Sequence, residues 1–107
     1  MILLTTTGAK SGATRTTPVM YLEEGGERYV FASFAGADHS PAWYHNMVAN
    51  PSITAEVGTE KYAAVAKPVD RAERDRIYAI MAEKYPNFAE YEEKTSRVIP
   101  VVKIERA

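Results

Sequence analysis

The sequence predicts an α+β fold that is mainly β: a small closed or half-closed antiparallel barrel of about six strands with two to three inserted helices. Glycine turns at Gly25-Gly26 and Gly58-Thr59 separate runs of apolar and β-branched residues, which is typical of hairpins. The predicted order, β-β-β-α-β-β-α-α-β, lacks the regular strand–helix alternation of a doubly wound fold. Barrel closure would also hide the edges that an open sheet exposes.

Three strands and one helix are predicted in the first half of the chain. Runs of apolar and β-branched residues place the strands at Ile2–Thr7, Arg15–Leu22 and Arg28–Ser33. Pro18 removes one hydrogen-bond donor from the second strand, so we expect that strand to lie at an edge or to carry a bulge. The helix is expected to have Pro41 as its first residue and to stop near Ala49, before Pro51.

The second half is predicted to contain a hairpin, two helices and a final strand. Asp70 and Glu73 have the spacing of an N-cap and its returning acid, so a helix should follow them and run to Tyr85. A shorter helix is expected at about Phe88–Lys94. The strands are expected at Ser52–Val57, Lys61–Lys67 and Val98–Ile104.

Length and charge exclude several classes of protein. The 107 residues, 46% hydrophobic and 25% charged, suit one globular domain over residues 1–107 rather than a disordered chain. The net charge of -1 gives no overall attraction for nucleic acid, so any anion site must be a local cluster. No run approaches the roughly 20 apolar residues of a membrane span, whereas contact with a membrane surface stays open.

The cysteine and histidine content limits the possible chemistry. The absence of cysteine removes disulfides, thiol nucleophiles and Cys-ligated zinc, and it fits a cytoplasmic protein. His39 and His45 are the only histidines and no metal-ligand spacing occurs, so no protein-ligated metal is expected. No Ser/His/Asp arrangement and no distinctive carboxylate pair is present.

The first candidate for a functional site is the glycine-flanked loop Gly8–Gly12, with Lys10 inside it and Arg15 close behind. Glycines let backbone N–H groups approach a ligand closely, and two neighbouring cations suit a phosphate or a carboxylate. The alternative is a solvated lysine in an ordinary turn. Spacing alone favours that alternative, because short Gly/Lys loops are common.

The second and third candidates are a small-residue loop with its following helix, and an aromatic series. The loop Phe34–Ser40 leaves room for a flat ring and leads to a helix N-terminus, which favours negative charge. The alternative for Trp43 is that it packs in the core, as large aromatic residues usually do.

The third candidate is the aromatic series Tyr85, Phe88 and Tyr91, which recur every third residue. Aromatic residues at this spacing more often pack in the core than line a ligand site. The hydroxyls of the two tyrosines nevertheless suit a polar role.

Taken together, stretches along nearly the whole chain resemble the deazaflavin-dependent nitroreductase family. The matching stretches are Leu3–Gly12, Arg15–Pro18, Pro41–Asn46, Ala49–Pro51, Tyr85–Tyr91, Thr95–Arg97 and Ile99–Val102. The resemblance implies an FMN-binding-like split β-barrel that binds coenzyme F420, an 8-hydroxy-5-deazaflavin. It also implies hydride transfer from the reduced cofactor to a quinone, a nitroaromatic or an activated enone.

The resemblance implies roles for particular positions. Those expected at the cofactor's phosphate and acidic tail are Lys10, Ser11 and Arg15. Those expected along the deazaflavin ring are Thr16, Thr17, Pro18, Val19 and Met20, then Phe31, Ala32, Ser33 and Phe34, then Ala42, Trp43, Tyr44, His45 and Asn46. Those expected at the substrate are Met20, Tyr85, Phe88 and Tyr91. Ser33 and Tyr91 are the expected catalytic residues, as hydrogen-bond donors to charge that develops on the substrate.

Some features depart from the family pattern. Ala9 stands where the family often has Arg, and Phe88 stands where one branch has Tyr, so one phosphate contact and one hydroxyl are missing. The printed sequence starts directly with the first strand, whereas the family usually has a helical segment before it that in some members helps to cover the substrate. We expect the absence of this helical segment to affect substrate affinity more than cofactor affinity.

Two other functions stay open on sequence grounds. Lys10 and Arg15 would equally suit the phosphate of FMN, so an FMN-dependent split-barrel oxidoreductase is one alternative. A non-catalytic flavin- or deazaflavin-binding protein is the other. The residues do not decide between a monomer and a homodimer.

Overall fold

Ten elements follow one another in this computed structural model, which describes residues 1–34, 37 and 39–107. The strands are β1 Ile2–Thr7, β2 Thr14–Val19, β3 Tyr21–Glu24, β4 Glu27–Phe31, β5 Ser52–Val57, β6 Glu60–Pro68 and β7 Val101–Arg106. The helices are α1 Ala42–Ala49, α2 Arg71–Lys84 and α3 Pro86–Lys94. The predicted mainly β chain with inserted helices is confirmed.

One sheet contains all seven strands of the described residues, paired antiparallel in the order β2-β1-β5-β6-β7-β4-β3. The two edges of this sheet are β2 and β3, and along the chain only Met20 separates them. Because consecutive Cα atoms are about 3.8 Å apart, this one-residue link holds the two edges together. The sheet therefore curls into a half-barrel, as predicted.

The second strand and the start of the first helix differ from the prediction. A single strand at Arg15–Leu22 is wrong, because the chain passes at Met20 from one sheet edge to the other and forms β2 and then β3. The sheet consequently has seven strands rather than six. Pro18 lies on an edge strand, as predicted. Pro41 is the N-cap of α1 rather than its first residue, since its backbone is extended, with φ -68° and ψ 159°.

Two later boundaries also move, and prolines explain both. Helix α3 begins at Pro86 rather than near Phe88, because the fixed φ of proline suits the first helical position. Strand β7 begins at Val101 rather than Val98, because Pro100 has no N–H to donate to the ladder. The predicted N-cap of α2 is confirmed: the Asp70 carboxylate accepts the Glu73 N–H at 2.9 Å.

The core consists of two apolar clusters on opposite faces of the sheet. Neighbouring residues of β4 and β7 point to different clusters, as the alternation of a strand requires. The cluster on the α1 face comprises Ile2, Leu4, Val30, Met47, Ile53, Ala55, Tyr62, Ala64, Ala66, Val102 and Ile104. The cluster on the face of α2 and α3 comprises Leu22, Tyr29, Phe31, Ile77, Tyr78, Met81, Phe88, Ile99 and Val101.

Polar contacts of Arg74 and Tyr78 join α2 to α3. The Arg74 guanidinium donates to the Ile99 carbonyl at 2.9 Å and to the Glu92 carboxylate at 2.8 Å. The Tyr78 hydroxyl donates to the Phe88 carbonyl at 2.6 Å, and burial raises the pKa of this phenol, so that it stays a neutral donor. These contacts fix α3 relative to the sheet.

None of the helices in the described residues is long and apolar enough to cross a membrane.

Candidate functional site

A tight loop joins β1 to β2 and carries Lys10, while the second candidate cation, Arg15, lies just after it in β2. The Gly8 N–H donates to the Ala13 carbonyl at 2.7 Å, and the Gly12 N–H donates to the Gly8 carbonyl at 3.0 Å. Gly12 has φ +71°, which favours glycine, and a Cβ on Gly8 would lie 2.5 Å from the Ser11 Oγ. The two glycines therefore allow a closed turn whose outer side faces solvent.

Lys10 in this loop and Arg15 at the start of β2 are exposed, and no described carboxylate pairs with either of them. Among the residues that the structure describes, neither side chain forms an ion pair, although the chain has 14 acidic residues. The backbone N–H groups of Lys10 and Ser11 likewise have no acceptor in this part of the chain. Two cations and two N–H donors are thus available to one anion.

These groups border a cleft of about 710 Å³ between the loop and α1. Its lining consists of Gly8, Ala9, Lys10, Ser11, Arg15, Ala42, His45 and Asn46. Ala42 is the first residue of α1, and none of the described side chains caps this end of the helix. The helix therefore adds its positive end to the cationic loop, and the cleft favours an anionic ligand.

Asn46, on α1, connects this helix to the β1–β2 loop through side-chain hydrogen bonds. Its amide is buried; the Oδ1 accepts the Ala9 N–H at 3.0 Å, and the Nδ2 donates to the Thr6 Oγ1 at 3.4 Å. One turn later, the Asn50 Nδ2 donates to the Thr7 carbonyl at 3.3 Å. The Asn46 side chain is thus engaged with the protein, and its contribution to the cleft is to hold the loop in place.

A second, smaller cavity of about 210 Å³ lies beside the first. Its lining is mostly apolar and aromatic: Val19, Met20, Phe31, Ser33, Phe34, Pro41, Trp43, Phe88 and Tyr91. The two cavities share elements, because β2 contributes Arg15 to one and Val19 to the other, and α1 contributes Ala42 to one and Trp43 to the other. Both cavities are therefore bordered by the same strand and the same helix.

Two polar groups stand in this aromatic cavity. The Tyr91 hydroxyl oxygen accepts the Asn87 Nδ2–H at 3.0 Å, which leaves its own proton for another acceptor. Ser33 is 8% exposed and lies two residues after β4, which ends at Phe31 rather than at Ser33 as predicted. Phe34 beside it is 51% exposed and has a φ of 45°, in the left-handed region that bulky residues avoid.

Several predicted site residues lie away from these two cavities. Tyr85 borders a neighbouring groove with Met1, Tyr21 and Lys84, and Met20 lines both that groove and the aromatic cavity. The others outside both linings are Thr16, Thr17, Pro18, Ala32 and Tyr44. Thr16 bonds Thr5 on the edge of the sheet, Ala32 is fully buried, and Tyr44 packs on the core of the α1 face. Ala35, Gly36 and Asp38 of the predicted small-residue loop lie outside the described residues.

Arg97 and Asn87 are residues of this region to which the sequence assigned no role. Both lie within or beside stretches that carried the family resemblance, but neither spacing nor residue type marks them. The partners of Arg97 are 57–65 residues earlier in the chain, so only folding brings them together. No group of three His, Cys, Asp or Glu side chains in the described part could hold a metal ion.

Comparison with known proteins identifies relatives over nearly the full length. A sequence profile of the F420H(2)-dependent quinone reductase family matches residues 1–106. An F420H(2)-dependent quinone reductase of Mycobacterium tuberculosis is 41% identical over 98% of this chain and 72% of its own length. The solved structure of an F420-H2 dependent reductase, FDR-A, is 40% identical, with a TM-score of 0.87 over 97% of this chain and 92% of that one. A domain-swapped dimer has the same identity and TM-score over 97% of this chain and 78% of that one.

The amide of Asn46 yields a first testable prediction. Asn46→Ala should lower the free energy of unfolding by about 1–3 kcal/mol, because it leaves the part-buried Ala9 N–H and the buried Thr6 hydroxyl without their partner. Urea unfolding followed by circular dichroism measures this loss. His45→Ala, an exposed neighbour on the same helix, is the control and should change stability by less than about 0.5 kcal/mol. Equal effects of the two substitutions would contradict the assignment.

Proposed function

Because the chain belongs to the F420H(2)-dependent quinone reductase family, we propose that its two adjoining cavities bind coenzyme F420 and, next to its ring, a quinone. The observation that carries this proposal is the pairing of an anion-binding loop with an aromatic cavity across β2 and α1. The family accounts for the cofactor, F420, and for the reaction, reduction of a quinone. The assignment of individual residues to these partners is our proposal.

The donors of the larger cleft fit the charged half of the cofactor. A phosphate and an acidic tail need cations and N–H groups that are not already neutralised, and Lys10, Arg15 and the N–H of Ser11 meet this requirement. Ala9 offers no guanidinium, so the remaining two cations provide the charge. We therefore assign the phosphate and tail to this cleft.

The smaller cavity suits the ring half. Val19, Phe31 and Trp43 offer apolar surface. In the first turn of α1, Ala42 lines the cationic cleft and the next residue, Trp43, lines this cavity. An apolar lining excludes water from the ring and keeps the reacting partners in contact. Phe88 and Tyr91 on α3 form the wall against which we place the substrate.

Reduced F420, when bound, supplies the hydride, and the remaining tasks fall to the protein. Negative charge develops on the quinone oxygen as hydride arrives, so a hydrogen-bond donor aimed at that oxygen stabilises the transition state. Tyr91 suits this task because its oxygen accepts from Asn87 while its proton is free. Ser33, on the opposite wall, is the second donor that we propose, and bulk water is the alternative source of the proton.

We add three coarser expectations for the whole protein. One domain over residues 1–107, a cytoplasmic location and either a monomer or a homodimer are what we propose from composition and from the relatives. The solved relative that is a domain-swapped dimer supports testing for a dimer. Size-exclusion chromatography with light scattering decides the oligomeric state.

The proposed function is tested by cofactor titration and turnover. We expect fluorescence titration to give tighter binding of F420 than of FMN, and we expect steady oxidation of reduced F420 when a soluble naphthoquinone is added. A nitroaromatic and an activated enone, assayed in parallel, measure how selective the acceptor site is. Equal or tighter binding of FMN would overturn the cofactor assignment, and binding of F420 without turnover would indicate a carrier protein.

The two free cations give a further prediction. Lys10→Ala and Arg15→Ala should each weaken F420 binding by about 1–3 kcal/mol, the range of a charge-assisted hydrogen bond. Wild-type binding should weaken as salt rises, and both variants should show a shallower dependence on salt. Lys61→Ala is the control, since this exposed lysine lies in the β5–β6 hairpin, outside the cleft lining. Unchanged affinity in both cleft variants would place the cofactor tail elsewhere.

The hydroxyl of Tyr91 gives another prediction. Tyr91→Phe should leave F420 affinity nearly intact but lower kcat and kcat/KM together by about 10–100-fold, as the loss of one hydrogen bond in the transition state requires. Phe88→Tyr should be tolerated or should raise turnover. Tyr85→Phe, which removes a hydroxyl outside the cavity, is the matched control. If Tyr91→Phe lowers only the melting temperature, Tyr91 is a packing residue and proton delivery falls to Ser33 or water.

A further inference from the structure

Arg97 makes an unusually dense set of hydrogen bonds with the segment between β4 and α1. Its Nη2 donates to the carbonyls of Ala32 at 2.8 Å, Ser33 at 3.2 Å and His39 at 3.1 Å. Its Nε donates to the Ala37 carbonyl at 3.0 Å, and its Nη1 donates to the Ser40 Oγ at 3.1 Å. One guanidinium thus contacts five residues of a nine-residue stretch, four of them through the backbone.

The chemistry of these contacts requires arginine. The guanidinium is a planar group with five N–H donors spread over three nitrogens, whereas a lysine ammonium has three donors on one nitrogen, too few for five acceptors. The Arg97 backbone is itself held, because its N–H donates to the Thr95 Oγ1 at 3.3 Å. The side chain therefore enters the segment from a defined position.

The stretch that Arg97 holds contains a strained residue of the aromatic cavity. Phe34, with φ 45°, follows Ser33, whose carbonyl is bound by Arg97, and its own carbonyl accepts the Ala37 N–H at 3.1 Å. A bulky residue stays in this backbone region only where its surroundings determine it. Arg97 provides that constraint on both sides of Phe34, through Ser33 and Ala37.

Arg97 also joins the two walls of the cavity. It lies three residues after the end of α3, the helix that carries Phe88 and Tyr91, while its acceptors belong to the wall of Ser33 and Phe34. The connection from α3 to β7 is fastened independently, because the Arg74 guanidinium binds the Ile99 carbonyl at 2.9 Å. Arg97 therefore supplies a polar connection between the two walls, in addition to the ring contact of Phe31 with Phe88, whose centroids are 5.6 Å apart.

We propose that Arg97 is a positioning residue that holds the Ser33–Phe34 wall at the distance from Tyr91 that the reaction requires. This inference rests on the proposed function for its effect on turnover, but its structural half concerns the chain alone. Arg97 contacts neither cavity directly. Its loss should therefore impair the reacting geometry much more than the binding of the cofactor's charged tail, which depends on the loop of Lys10 and Arg15.

The test compares Arg97→Lys and Arg97→Ala with Arg76→Lys. Arg76 is an exposed arginine on α2 and serves as the matched control. Hydrogen exchange of residues 32–40 in the cofactor-free protein should speed up at least tenfold in both Arg97 variants. With F420, kcat should fall at least tenfold while the dissociation constant changes less than about threefold. Guanidinium at tens of millimolar should partly restore kcat to Arg97→Ala, whereas methylammonium at equal ionic strength should not.

The experiment distinguishes failure of the proposed role of Arg97 from failure of the proposed quinone reductase function. Unchanged exchange at residues 32–40 together with unchanged kcat, whatever the melting temperature, overturns the role of Arg97. If the wild-type protein does not reduce quinones, the proposed function fails, while the exchange measurement still decides whether Arg97 holds the segment. Should the Arg97 variants not fold, Ser40→Ala removes a single acceptor: faster exchange with lower kcat supports the proposal, and no change in either overturns it.

Discussion

The one-residue link at Met20 is the constraint on which the rest of the architecture depends. It joins the two edge strands of a seven-stranded sheet, so the sheet has to curl until the end of β2 reaches the start of β3. The curl places Val19 at the end of β2 near Phe31 at the end of β4, although β2 is the first strand and β4 the sixth in the hydrogen-bonded order. Met20 itself then borders the aromatic cavity, so the site is a direct consequence of the closure.

Polar side chains in this molecule fall into two groups with different tasks. Asn46, Arg74 and Arg97 are at least partly buried, and their donors and acceptors are engaged with the protein. Lys10 and Arg15 are exposed, and in the described part of the chain they have no carboxylate partner. Buried donors left unpaired would be costly, so the first group builds the framework, and the second remains available to a ligand.

The geometry of strands and helices explains which of the predicted site residues the structure brings together. Residues next to each other on a strand point to opposite faces, so a continuous matching stretch such as Thr16–Met20 cannot line one cavity throughout. Val19 and Met20 line the aromatic cavity, while Thr16 bonds Thr5 on the sheet edge. Tyr85 ends up in a separate groove because the helical spacing does not extend to it: it is the residue before α3. A stretch of sequence therefore indicates the region of a site better than its individual contacts.

The sequence by itself determined the local features: the two glycine hairpins, the N-cap of α2, the edge position of Pro18, the cationic glycine loop and, through its family pattern, the cofactor. Each of these depends on residues a few positions apart, whose conformational preferences act within one turn or strand. The tertiary structure alone decided the closure at Met20, the engagement of Asn46 below the loop, and the contacts of Arg97 with carbonyls about 60 residues earlier. Backbone carbonyls are present in every residue, so no pattern of side chains predicts which of them a distant arginine will bind.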